Sequence, residues 1–89
     1  MAVDITLKLF ATLTDYIPRG RDGARNRNEL PLEVEEGTTV QAVIDAFRVP
    51  PAMAHIVLVN GVFVPRPART TQALQPGDAL AVWPPIAGG

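Results

Sequence analysis

Cysteine is missing from all 89 residues, and that absence removes several kinds of chemistry. The chain has no disulfide, no thiolate metal site and no side-chain thiol for redox or acyl transfer. Histidine occurs once, at His55, just ahead of a strand pattern and without a cysteine partner. An isolated residue of this kind carries little functional weight, so His55 is read as structural or solvated. No glycine-rich stretch has phosphate-cradle spacing. Long apolar runs are lacking too, the longest falling far short of the roughly 20 residues that span a bilayer. No basic segment followed by an apolar run precedes the first strand pattern, so no signal peptide is expected. A cytoplasmic protein without a membrane partner is the default expectation. The formal net charge of -1 argues against wholesale binding to nucleic acid or acidic lipid. An enzyme with a side-chain active site is therefore not expected; loss of a measured activity in His55→Ala would be needed to revive one.

What is present is a globular composition, 47% hydrophobic and 19% charged, of a length that makes one domain. Such a chain buries roughly 60–70% of its unfolded surface, enough for one modest core. Val3, Ile5, Leu7 and Leu9 alternate with polar residues, which predicts a strand, and Phe10 is the apolar exception on its other face. Ala11 to Tyr16 fits a short helical turn, ended by Pro18 and Gly20. The stretch 19–28 is polar and reads as an exposed basic loop carrying Arg19, Arg21, Arg25 and Arg27. It is either plain solvated surface or a patch that steers an acidic partner. Without interleaved aromatics it does not read as a site for single-stranded nucleic acid. Leu30, Leu32 and Val34 predict a second strand.

Gly37 breaks the chain, Thr38-Thr39 offers an N-cap hydroxyl, and Val40, Val43, Ile44 and Phe47 follow at helical spacing. Pro50-Pro51 is expected to end that helix. Asp45 is expected on its outer face, and Glu33, Glu35 and Glu36 along an exposed edge. Ile56 to Val59, the hairpin signal Asn60-Gly61, and a return arm Val62-Phe63-Val64 come next. Gln75-Pro76-Gly77-Asp78 is a turn, and Ala79 to Trp83 is the last strand. The order ββαβββ predicts an α+β roll: a mixed sheet of four to five strands with one main amphipathic helix.

What remains is the tail 84–89 beyond the body 1–83. A chance Gly-Gly ending has a likelihood of roughly 0.5%, given about 7% glycine in average proteins. Glycine gives the thinnest backbone, able to enter a narrow channel extended. From Trp83 the tail can project at most about 20 Å. By itself the diglycine leaves two readings open, an end that is chemically activated and a frayed end.

The stretch from Leu74 through Gly77-Asp78, Trp83 and Pro84-Pro85-Ile86-Ala87-Gly88-Gly89 resembles the C-terminal signature of the MoaD/ThiS sulfur carriers. Val59-Asn60-Gly61, the capped helix and the opening strand ending Phe10-Ala11 match the family layout, which covers nearly the whole chain outside the arginine loop. The resemblance implies a β-grasp (ubiquitin-like) fold and a non-catalytic role. An E1-like enzyme using ATP and Mg²⁺ adenylates the terminal glycine, and persulfide sulfur converts it to a thiocarboxylate. An acceptor enzyme then takes the sulfur. The carrier itself binds no cofactor. The Pro84-Pro85 form looks more like the small subunit of molybdopterin synthase, whose acceptor is the large subunit, than like the thiazole-forming carrier.

On that resemblance Gly89 holds the sulfur and Gly88 gives it clearance. Pro84 and Pro85 stiffen the exit, and Trp83, Ile86 and Ala87 face the partner. Trp83 also fits a core or rim position, and the prolines a guard against further strand pairing. Phe10 and Phe63 fit either an exposed docking patch or packing under loops. Rival readings keep the chemistry but change the acceptor (thiazole, another sulfur metabolite, a target lysine), or drop it for a non-covalent β-grasp interaction module.

Overall fold

The computed structural model describes residues 1–17 and 28–85; the basic loop other than Asn28, and Ile86, Ala87, Gly88 and Gly89, lie outside the described residues. β1 (Ala2–Leu9) runs into a 3₁₀ turn (Ala11–Tyr16), and β2 (Glu29–Glu35) leads to α1 (Val40–Ala46). After a short 3₁₀ turn (Pro51–Met53) come β3 (Ile56–Val59) and β4 (Val62–Phe63). A third 3₁₀ turn (Arg66–Thr70) precedes β5 (Ala79–Trp83). The strands form one mixed sheet in the order β2-β1-β5-β3-β4. β1 and β5 are parallel at its centre, and every other pair is antiparallel.

The period-two pattern does what it predicts. Val3, Ile5, Leu7 and Leu9 point to one face with Val57, Val59, Leu80 and Val82, and all are buried. Val40, Val43 and Ile44 of α1 close that face, with Phe47 half-buried at the edge. Burying such side chains contributes about 1.5–3 kcal/mol each before chain entropy is counted, so this single core carries the fold. Leu13, fully buried, enters it from the first 3₁₀ turn. β2 is an edge strand with Glu33 and Glu35 exposed, and Glu36 is exposed just beyond it. Asp45 is exposed on the outer side of α1, where its carboxylate accepts the Gln41 amide.

The local signals hold with two corrections. Thr39 caps α1: its hydroxyl accepts the Ala42 N–H at 3.1 Å. Asn60 and Gly61 have φ of 53° and 83°, the left-handed pair of a type I′ turn. The return arm is shorter than predicted, however, because Val64 leaves β4 to be buried and donates its N–H to the Val57 carbonyl. α1 also ends before Pro50-Pro51. Arg48 turns left-handed at φ 60°, and the N–H groups of Arg48 and Val49 donate to the carbonyls of Asp45 and Ile44. That is a Schellman closure with arginine where glycine is usual. Among the described residues no helix is long and apolar enough to cross a membrane.

Candidate functional site

The candidate site is the root of the tail. β5 lies between β1 and β3, so its C-terminal end is held from both sides. Phe10 donates its N–H to the Val82 carbonyl at 3.2 Å, and His55 donates its N–H to the Trp83 carbonyl at 3.0 Å. Pro84, half-buried, and Pro85, exposed, follow at once. Neither has an N–H to continue a ladder, so the chain must leave the sheet here.

Phe10 and Trp83 are brought together. Ala11 takes φ 54°, which turns the chain so that Leu13 drops into the core. Phe10 is left on the opposite face, its ring stacked on Trp83 with centroids 4.0 Å apart and planes within 4°. Trp83 is therefore a rim residue, 41% exposed, and Phe10 packs on it. Phe63 lies on the same open face, opposite Leu58, and is 56% exposed. Register places Ala79 and Ala81 between these larger groups, with Ile56 beside Trp83. The β5-β3-β4 half of the open face is thus apolar around a floor of small residues. The β1-β2 half carries Asp4, Lys8, Glu29 and Glu33. An exposed apolar patch rimmed by charge is the usual form of a protein-docking surface.

The turns before β5 form a second ordered cluster. Gly77 at φ 85° makes the turn after Pro76, and the Asp78 N–H closes it on the Gln75 carbonyl. The nearly buried Asp78 carboxylate accepts the Gln75 N–H and the Asn60 amide, both at 2.8 Å. The Asn60 side-chain oxygen in turn accepts the Ala79 N–H. The two turns that the sequence marks separately are one hydrogen-bonded unit at the start of β5.

Sequence reasoning missed Arg69. It sits in the Arg66–Thr70 turn with 2% of its surface exposed. Its guanidinium donates to the carbonyls of Ala54 at 2.7 Å and His55 at 3.2 Å, neither a carboxylate. Nε finds no partner among the described residues. Burial, and secondarily the charge of Arg66, push its pKa below the ordinary guanidinium value. An arginine flanked by proline, alanine and threonine gives no signal of burial in sequence.

His55 itself is exposed and contributes its backbone N–H and carbonyl. Among the described residues no group of three His, Asp or Glu is placed to hold a metal ion. The groove between β2 and α1, lined by Leu32, Val34, Val43 and Phe47, lies on the side of the sheet away from this open face.

The ThiS family model matches residues 8–89. Among solved structures, the Haloferax volcanii HVO 2177 protein is 25% identical, with 99% of this chain and 88% of that one covered and a TM-score of 0.73. SAMP1 from the same organism is 26% identical over 97% and 99% of the two chains, at 0.63. A Pyrococcus furiosus protein provisionally described as molybdopterin converting factor subunit 1 is 22% identical over 94% and 99%, at 0.64, a likeness of fold alone. The arrangement they share is the β-grasp. No curated protein matches the chain.

Proposed function

The chain belongs to the ThiS family of small ubiquitin-like carriers and modifiers, and from that membership we propose that it carries sulfur on the carboxyl group of Gly89. The carboxylate attacks the α-phosphorus of ATP held by an E1-like enzyme and pyrophosphate leaves. A persulfide sulfur then attacks the acyl carbon and expels AMP. Reductive cleavage of the resulting acyl disulfide by a thiol leaves the thiocarboxylate. Every catalytic group in this sequence sits on a partner, as do ATP and Mg²⁺. The carrier contributes a docking face and a tail short and thin enough to enter the partner's site.

The observation that carries the reading is the fixed root. The Trp83 carbonyl is tied to His55, Trp83 is stacked on Phe10, and the chain leaves through two prolines beside an apolar face. A partner gripping that face would know where the tail begins. We assign the acceptor as an enzyme of the molybdopterin synthase type, on the Pro84-Pro85 tail. Ile86 and Ala87 would line the partner's channel and Gly88 would clear it.

Intact-protein mass spectrometry after incubation with the E1-like enzyme, ATP, Mg²⁺ and a persulfide donor tests the proposal. The expected product has one oxygen replaced by sulfur and is absent when Gly89 is deleted. No such product, with an activating enzyme proven on its own substrate, would leave a non-covalent interaction module as the better reading. The likeness to SAMP1, a small archaeal modifier protein, favours one second reading, in which the same activated end is passed to a lysine of a target protein. Isopeptide conjugates in the source cell would decide for it.

A further inference from the structure

The buried arginine and the tail root are joined through a single peptide group. Arg69 Nη1 donates to the Ala54 carbonyl at 2.7 Å. The N–H of that same peptide plane belongs to His55, and it donates to the Trp83 carbonyl at 3.0 Å. Nη2 takes the next carbonyl, that of His55, at 3.2 Å. A charged donor on a peptide oxygen polarises the amide and strengthens the bond made by its N–H. The planar guanidinium fork also fixes the spacing of the two carbonyls it grips, which a point charge on a flexible stem does not.

The arrangement is costly. A charge is withdrawn from water onto neutral carbonyls, with Nε unpartnered among the described residues, where a well-packed apolar side chain of similar volume would fill the space at lower cost. What an apolar side chain could not do is hold the Ala54–His55 peptide in one orientation. We propose that Arg69 is a positioning residue for the tail, acting through that peptide on the Trp83 carbonyl to set the direction in which Pro84 leaves the sheet. The inference rests on the sulfur-carrier reading, which requires the tail to meet a partner's site, and it adds a residue to the carrier's own machinery. Arg69 acts through the Ala54–His55 peptide; it determines how well a docked carrier presents Gly89.

The test compares wild type, Arg69→Met and Arg69→Lys by amide hydrogen exchange and by steady-state adenylation with the E1-like enzyme. In Arg69→Met the His55 amide should exchange at least tenfold faster, while the amides of Ile5 and Leu7 in the β1-β2 ladder stay unchanged. The kcat for adenylation should fall about tenfold with KM within twofold, since the docking face is intact. Arg69→Lys should recover part of both effects, and it supplies the same readings if the methionine variant does not fold. Unchanged exchange at His55, an equal rise at Ile5 and Leu7, or a rise in KM at constant kcat would overturn the role of Arg69. Failure of the wild type to be adenylated would instead sink the carrier reading on which the proposal depends.

Discussion

Asn60 and Asp78, eighteen positions apart, are locked side chain to side chain: the Asn60 amide donates to the Asp78 carboxylate at 2.8 Å. The other end of the same Asn60 side chain accepts the Ala79 N–H at 2.9 Å. One asparagine thus shapes the β3-β4 turn with its backbone and fastens the first residue of β5 with its side chain. β5 is thereby pinned at its start by Asn60 and at its end by His55, and the tail is launched from a strand fixed at both ends.

Asn60→Gly separates the two jobs. Glycine keeps the left-handed turn, so the loss reports the two side-chain bonds and the carboxylate left short of a donor. Urea unfolding should show a loss of about 1–3 kcal/mol. A double-mutant cycle with Asp78→Ala should show a coupling of at least about 0.5 kcal/mol; strict additivity would mean that the pair does not act as a unit.

Among the described residues, two that are neither glycine nor asparagine hold left-handed backbone, Ala11 at φ 54° and Arg48 at φ 60°. Each carries a Cβ in a region that costs about 1–2 kcal/mol, partly offset by the chain entropy glycine would lose. Arg48→Gly should therefore stabilise by about 0.5–1 kcal/mol in the same measurement. The gain needs no new contact, because the Schellman bonds of Arg48 and Val49 are already made.

Phe63 is exposed on the open face and contributes little to the core. Phe63→Ala should change stability by less than about 0.5 kcal/mol. On the carrier reading it should raise KM for the E1-like enzyme about fivefold to tenfold, the loss expected of one aromatic contact in an interface. An unchanged KM would remove β4 from the docking surface.

Asp4 and Glu33 are direct cross-strand neighbours on the charged half of that face. Like charges in this relation destabilise, and an opposite pair contributes about 0.2–1 kcal/mol. Glu33→Lys should raise the unfolding midpoint at low salt. Most of the gain should vanish near 1 M salt, where screening is complete within a few ångströms.

The alternation in β1, the i, i+3, i+4 stripe of α1, the Thr39 cap, Asn60-Gly61 and the Pro-Gly turn were all legible because each is a local preference. The chain segment that expresses it contains the reason for it. The three 3₁₀ segments were less so: only the first was foreseen as a helical turn, since such turns are set by how the chain must drop back to the core. The early end of α1 was hidden for the same reason. A proline pair announces where a helix cannot continue, but the Arg48 closure answers to Val49, which is buried. Gly88 and Gly89 rest on composition and resemblance alone, because they lie outside the described residues.

Sequence by itself determined the strands, the main helix and their inner faces, because periodicity and turn chemistry act over a few residues, and its C-terminal motif carried the resemblance to the family. Only the tertiary structure decided that β1 and β5 run parallel at the centre of the sheet. The same holds for the Phe10-Trp83 stack across that seam, the fastening of Asn60 to Asp78, and the guanidinium of Arg69 one peptide from the tail. These relationships join residues between fourteen and seventy-three positions apart. No local preference encodes them; they exist because closing one small core leaves β5 a single place between its two neighbours.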